Sequence, residues 1–393
     1  MKACMVAYAF YETDNRVRRY AEALVRRGDD VEAIVLGREG QSAEEIIKGV
    51  HVRRIQTRVR DERRPVSYLI KMLMFFLRSA WALTVGHLTE RYDVIHVHSV
   101  PDFEVFAALV PRLMGARVIL DIHDIVPEFY ASKFKVGERS VAFWFLLLVE
   151  KLSCACASHV IISNHLWHKK LTTRSVAAEK CTAIINYPDP EIFSPKIAQS
   201  NGHSEFVMCY PGTLNWHQGV DLAVGAMALL RERAPNLRFL IMGDGPDREK
   251  LEAMVKQQGL GARVALAEMI PLEEVAATMA NVDLGVVPKR GNSFGNEAFS
   301  TKIMEFMAMG VPVLASNTRI DRWYFDGGQV QFFESGNVED LAAKIMELMT
   351  DSANRSALRA RGMKFIEKNN WGLKKYEYFD LVDRLIQRQP AFA

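Results

Sequence analysis

The sequence predicts an α/β protein built from two doubly wound domains, and three observations carry that expectation. Short apolar strands and amphipathic helices alternate from one end of the chain to the other. One stretch rich in proline and polar residues, 183–196 (AIINYPDPEIFSPK), interrupts the alternation, which then starts again. The length of 393 residues exceeds one ordinary core and suits two domains of roughly 100–200 residues.

The first alternation opens with a strand at 2–8 and a helix at 16–27 (RVRRYAEALVRR) that Gly28 stops before the strand DVEAIVL. Residues 92–99 (YDVIHVHS) and 116–124 (ARVILDIHD) form strands that finish on polar side chains. Ligands of open α/β sheets sit beyond the carboxyl ends of the strands, which singles out His98, Asp121, His123 and Asp124. His96 and His98 share a strand face without a third metal ligand in view. Between these strands, HVRRIQTRVRDERR (51–64) carries six arginines. An apolar run follows, interrupted by Lys71 and Arg78 and so too broken for a membrane span. Arg53 to Arg64 and a helix from about Val66 to Leu83 are expected to dock on an anionic membrane surface. The similar run AFWFLLLVEKL (142–152) is expected to be core.

The second alternation begins at 205–212 (EFVMCYPG). A helix at 219–233, a strand at 237–245, a helix at 247–259 and the strands RVALAE and VDLGVVP (282–288) follow. After a further strand and a helix near 338–350, Asn370-Trp371 precedes a last amphipathic helix.

With 49% hydrophobic and 25% charged residues the composition is that of a soluble globular protein. Five cysteines are scattered, and Cys154 and Cys156 form a lone C-x-C without a second ligand pair. Reduced thiols in the cytoplasm are the expectation, and zinc is not. The first residues lack a signal peptide's apolar core and cleavage site. A net charge of +3 gives no reason to expect a nucleic-acid partner.

The densest chemistry lies in Glu297-AFSTKIM-Glu305-FMAM-Gly310-VPVLAS. Ser300 and Thr301 are good N-cap residues, so Glu297 falls on a loop and Glu305 about one turn into a helix that Gly310 and Pro312 end. The start of that helix offers the backbone N–H groups of Phe299, Ser300 and Thr301, with Lys302 as a full positive charge beside them. A carboxylate one turn inside can accept two hydrogen bonds from a ribose diol, and the loop carboxylate is free to meet a polyol. Diphosphate between a ribose and a polyol describes a nucleotide sugar.

This motif resembles the donor-site signature of the retaining glycosyltransferases of family four, whose two glutamates, with seven residues between them, match Glu297 and Glu305. DxHD-xxPE at Asp121 to Glu128, NYPDPEIF at Asn186 to Phe193, YPGTL at Tyr210 to Leu214 and GDGP at Gly243 to Pro246 follow in the family's order. The resemblance implies the GT-B fold, two facing Rossmann-like doubly wound domains with a cleft between them. Residues 1–185 with a returning helix at 372–393 would bind acceptor, and 186–371 would bind donor. It implies that His123 meets the donor sugar and that Ile270 lies at the base pocket. Arg16, His98, Asp121 and Glu128 fall on the acceptor side, Glu128 in a loop. It also implies retention by front-face attack, a UDP- or GDP-sugar as co-substrate with no cofactor, and a polyprenyl- or lipid-linked acceptor. The setting would be assembly of a bacterial surface glycan on the inner face of the cytoplasmic membrane.

The chain departs from the family where an arginine and a lysine usually contact phosphate, having Gly212-Thr213-Leu214-Asn215-Trp216-His217-Gln218-Gly219 instead. Lys302, Lys289, Arg290 and His217 are candidate replacements, with Arg16 from the facing domain. No D-x-D metal motif stands between a strand and a loop, so side chains and helix dipoles are expected to meet the diphosphate charge. A sugar-nucleotide epimerase and a catalytically silent nucleotide-sugar-binding protein are the alternatives.

Overall fold

The computed structural model describes residues 1–58, 65–134, 137, 139–195, 205–268, 270–292 and 294–387. The chain forms two compact units, Met1–Asn186 with the segment from Lys375 onward, and Tyr187–Lys374.

The first unit is built on strands β1 (Lys2–Phe10), β2 (Asp30–Gly37), β3 (Glu44–Ile47), β4 (Val50–Thr57), β5 (Val94–His98), β6 (Arg117–Ile122), β7 (His159–Ile162) and β8 (Cys181–Ala183). Their order in the sheet is β3-β4-β2-β1-β5-β6-β7-β8, parallel except for β3 against β4. The central strands are buried along almost their whole length, as a parallel sheet covered on both faces requires. Helix α1 (Asn15–Arg27) starts where the Asp14 carboxylate accepts from the Arg16 and Val17 N–H groups. Helices α2 (Pro65–Thr89), α3 (Leu109–Leu113), α4 (Val126–Phe134), α5 (Val141–Cys156) and α6 (His165–Arg174) fill the later crossovers. The sheet grows one way from β1 to β2 and the other way from β5 to β8. Right-handed crossovers therefore put α1 on one face and α2, α3, α5 and α6 on the other.

Two sequence expectations change here. Arg53 and Arg54 lie in β4 and are engaged within the sheet, Arg53 with Glu32 at 2.7 Å and Arg54 with Glu12 and Glu45 at 2.5 and 2.7 Å. Arg58 stacks over Tyr8 and Tyr68. These side chains are held by ion pairs and rings rather than presented as a loose basic segment; Arg60, Arg63 and Arg64 lie outside the described residues. The run 142–152 is not plain core: α5 turns Trp144, Phe145, Leu148 and Leu152 outward. Its inward side keeps Phe143 and Glu150.

Helix α2 lies along the unit. Phe75 meets Tyr8 edge-on at 5.2 Å, Phe76 meets Phe103 at 5.8 Å, and the Ser79 hydroxyl donates to the buried Glu104 carboxyl. Burial raises that carboxyl to about 8 against the opposing pull of Ser79. Its folded value lies above the unfolded one, so the stability it contributes is complete below about pH 4 and is lost as pH climbs through about 8. Thermal melts of the wild type should fall between about pH 5 and about pH 9, and Glu104→Gln should shrink that fall. An unchanged fall in the variant would assign the pH dependence to other groups.

The second unit carries β9 (Phe206–Pro211), β10 (Leu237–Met242), β11 (Val264–Ala267), β12 (Leu284–Val287), β13 (Val313–Ser316) and β14 (Gln331–Phe333). All are parallel, in the order β11-β10-β9-β12-β13-β14. Helices α7 (Val220–Leu229), α8 (Arg248–Gln257), α9 (Leu272–Met279), α10 (Thr301–Ala308), α11 (Arg319–Tyr324), α12 (Val338–Thr350) and α13 (Ser352–Lys368) connect and cover the strands. The core joins Met208, Phe239, Ile241, Leu284 and Val286 to Leu341 and Ile345 of α12. Helix α10 sits close to β12 because Gly285 has no side chain: a Cβ there would come 2.4 Å from the Phe306 ring. Helix α14 (Trp371–Gln387) carries the chain back into the first unit.

Candidate active site

In the second unit the winding reverses between β9 and β12, and ligands of such sheets gather outside the carboxyl ends at that point. The turn Gly212-Thr213 after β9 and the start of α10 meet there. Gly212 has φ +138°, and a Cβ on it would lie 2.3 Å from Cε of Lys302, so only glycine lets the lysine lie across the turn. The Lys302 ammonium stands 5.3 Å from the centre of the Tyr210 ring, whose hydroxyl donates to the Thr213 carbonyl at 2.9 Å. Burial lowers the Lys302 pKa, while Glu305, one turn further along α10, pulls it up. Burial raises Glu305 in turn, with Lys302 opposing.

Ser300 takes the N-cap position of α10, but its side chain makes no capping bond, and its buried hydroxyl has no partner. The helix start thus presents backbone N–H groups without a side-chain cap, beside a lysine, which suits an anion. Phe299 anchors this start through its ring, packed on Tyr324 at 4.8 Å and Phe325 at 6.1 Å.

The other candidate cations are engaged. Lys289 is buried, donating to the Ala298 carbonyl at 2.6 Å and pairing with Asp321 at 3.0 Å. A buried ammonium needs such a carboxylate. Arg290 makes a two-pronged contact with Asp221 at 2.9 and 2.7 Å and stacks on Trp216. Both residues brace the loop before α10. His217 is pushed down to about 4 by burial and by the charges of Lys302 and Lys289, so it stands neutral beside them. Among the described residues, Lys302 is the candidate cation of this unit without a hydrogen bond or ion pair. Glu297 lies on the loop, paired with the exposed Arg319 at 3.1 Å. Ile270 is half-buried in the link between β11 and α9.

In the first unit the register sets His98 opposite Asp121 on neighbouring strands. His123 lies one residue beyond the end of β6, its carbonyl accepting from the Ser163 hydroxyl at 2.7 Å. The Oδ2 atom of Asp121 accepts from His123 Nε2 at 2.7 Å and from His98 Nδ1 at 3.1 Å. Burial alone would raise Asp121, but the imidazoles of His123, His96 and His98 hold it well below its usual value. An ionised carboxylate only accepts, so His123 carries its proton on Nε2. Burial and the Arg16 guanidinium push His123 down to about 4. The ring is then neutral, and its buried Nδ1, which has no partner, is a free acceptor.

Asp121 supplies the third group that the sequence did not place beside His96 and His98. The three bring possible metal-ligating atoms within 4.8 Å of one another, all buried. Here Asp121 accepts from His98, His96 Nε2 stands 3.6 Å from the same carboxylate oxygen, and His96 Nδ1 lies 3.0 Å from the Tyr378 hydroxyl of α14. Arg16 is held by Asp14 at 2.9 Å, the N-cap residue of α1, and its charge acts on His123 and Asp121. Glu128 is not on a loop: it belongs to the first turn of α4 and receives both Arg174 prongs at 2.6 and 3.0 Å. That pairing extends to Glu150 and makes Glu128 part of the helix layer. No local pattern points to Arg174, Arg319, Asp321 or Asp221, because each partner lies 20 or more residues away. A groove of about 640 Å³ lined by Lys2, Glu32, Glu44 and Arg53 lies at the opposite, amino end of the strands and is apart from this chemistry.

Two parallel doubly wound sheets, one ending in an imidazole–carboxylate cluster and the other in a lysine-bearing helix start, define a GT-B protein. The family model described as "Glycosyl transferases group 1" matches residues 194–365, and "Glycosyl transferase 4-like domain" matches residues 13–186. The chain belongs to the glycosyltransferases of this family-four type. It is 23% identical over 292 residues to the sulfoquinovosyl transferase SQD2 of Arabidopsis thaliana, an alignment covering 71% of this chain and 54% of that protein. The chain thus spans about half the length of that relative. It is 23% identical over 293 residues to the GDP-mannose:cellobiosyl-diphosphopolyprenol alpha-mannosyltransferase of Xanthomonas campestris, covering 73% of each. The fold is similar to that of a sucrose-phosphate synthase from Thermosynechococcus elongatus, with TM-score 0.82, 19% identity and coverage of 98% and 99% of the two chains.

Proposed function

We propose that the protein transfers a sugar from a UDP- or GDP-sugar to a lipid-linked acceptor in surface-glycan assembly, with retention of configuration and without a metal ion. One observation carries the reading: Lys302 lies across the Gly212 turn at the start of α10, with Glu305 one turn further on. In this reading the N–H groups of Phe299, Ser300 and Thr301, the Gly212-Thr213 turn and Lys302 meet the diphosphate. Glu305 binds the ribose, Ile270 the base, and Glu297, held by Arg319, the sugar hydroxyls. Lys289 and Arg290 support the loop without touching phosphate. His123 accepts a hydrogen bond from a sugar hydroxyl, with Arg16, His98 and Asp121 on the acceptor side. The acceptor oxygen forms its bond to the anomeric carbon on the face that the diphosphate leaves, and the departing phosphate takes the acceptor proton. The Xanthomonas relative, whose name specifies a diphosphopolyprenol, supports this reading of the acceptor. The inner face of the cytoplasmic membrane is the setting that such an acceptor requires.

Glu305→Ala should raise the donor Kd roughly 10- to 100-fold, the cost of two charge-assisted hydrogen bonds partly replaced by water. Undiminished donor binding by calorimetry would remove the ribose assignment. Turnover with a polyprenyl-diphosphate glycan should survive EDTA, and NMR should find the donor's anomeric configuration in the product. Donor consumed without acceptor would identify an epimerase or hydrolase, and donor held without turnover a silent binder.

A further inference from the structure

The outward sides of α2, α3 and α5 are apolar where a soluble helix layer is normally polar. Of 24 exposed large apolar side chains among the described residues, 17 belong to these three helices and to Met114, which follows α3. Trp81 is 72% exposed, Leu113 77% and Trp144 63%, so these are surfaces rather than leaks at a core edge. On α2 the exposed positions Leu69, Leu73, Leu77, Trp81 and Leu88 recur at helical spacing along one stripe. The three helices lie side by side on the same face of the sheet, α2 and α5 both packed on the 3-10 segment Asp102–Ala108 that runs into α3. Their stripes therefore make one surface. The next helix of this layer, α6, ends it, exposing His165 and Lys169 instead.

We propose that this three-helix face is a bilayer-docking surface that seats the first unit on anionic lipid. Charge decides between a bilayer and a second copy of the chain. Arg78 on α2 and Lys151 on α5 are exposed, with Arg91 and Arg139 just outside the helix ends; the exposed Glu90 beside Arg91 is paired with Lys2. No exposed carboxylate lies on α2, α3 or α5; the one acidic residue they contain, Glu150, is buried against Arg174. A twofold pairing of copies would set these cations against one another, whereas anionic headgroups neutralise them. Indole rings beside cations suit the interfacial layer, where Trp81 lies one turn from Arg78. Residues 67–89 have the length and the mean hydropathy, 1.4, to cross a bilayer. But Phe75, Ser79, Ala82 and Leu83 bind α2 to its own unit, so it lies in the interface plane. The surface includes α5 as an equal partner, which separates it from docking by one amphipathic helix.

Full-length protein should be sedimented with phosphatidylcholine vesicles with and without phosphatidylglycerol, at low and high salt. The wild type should bind when phosphatidylglycerol is present, and salt should remove part of the binding, leaving the apolar share. Leu77→Glu with Trp81→Glu on α2, and separately Trp144→Glu with Phe145→Glu on α5, should each weaken binding roughly tenfold or more while circular dichroism and Tm stay near wild type. Turnover on a water-soluble acceptor analogue should be unchanged in both, so loss of docking is read apart from loss of glycosyl transfer. Wild-type protein that binds no anionic vesicle, or that forms a dimer broken by the α5 substitutions, overturns the proposal. So does vesicle binding that the α5 pair leaves untouched.

Discussion

Replacing His123 by alanine is expected to lower kcat roughly 10²- to 10³-fold while the donor Kd stays within about twofold of wild type. The expectation rests on the unpartnered Nδ1 of a ring whose Nε2 is fixed by Asp121 at 2.7 Å. An acceptor placed by a second residue makes contacts whose value depends on the geometry of the reacting sugar, so truncation acts on turnover. Asp121→Asn tests the same geometry differently, because an amide can donate to Nε2 and turn the ring into the other tautomer. Its kcat should fall as well, with donor affinity again unchanged. The His123 ring, held at about 4, is neutral at every ordinary assay pH. Activity should therefore show no loss assignable to His123 above about pH 5. His123→Ala with wild-type kcat would end the assignment.

Lys302→Ala should weaken nucleoside diphosphate roughly 10- to 100-fold and the matching nucleoside hardly at all. The lysine stands at the helix start without an internal hydrogen bond or ion pair among the described residues, while Lys289 and Arg290 are tied to Asp321 and Asp221. Losing it removes a full charge from a largely buried place, where water replaces it poorly. Lys289→Ala should look different: it leaves Asp321 buried without its ammonium, so the Tm should drop before any selective effect on phosphate appears. Equal losses for nucleoside and diphosphate in Lys302→Ala would show that the lysine acts on the fold and not on phosphate.

The alternation of strands and helices was legible because parallel strands are continuous apolar runs and their helices carry one apolar side, patterns that are local. For the same reason Glu297, Lys302 and Glu305 could be placed relative to a helix start from spacing alone. Pairings across the sheet were not legible. Arg290 reaches Asp221 and Glu297 reaches Arg319 across intervals of 69 and 22 residues, and no periodicity relates such partners.

By itself, then, the sequence determined which segments are strands and helices, and that three charged residues gather at the start of α10. Tertiary structure alone decided which of the candidate cations stays unengaged, because a charge is free or paired according to which distant carboxylate the sheet order brings beside it. It alone set the proton on His123, through a carboxylate whose ionisation depends on three imidazoles, two from the neighbouring strand and one from the loop beyond its own. It also turned the outer stripe of α5 to the surface, since an apolar helix shows which side it buries only once the layer beneath it is built.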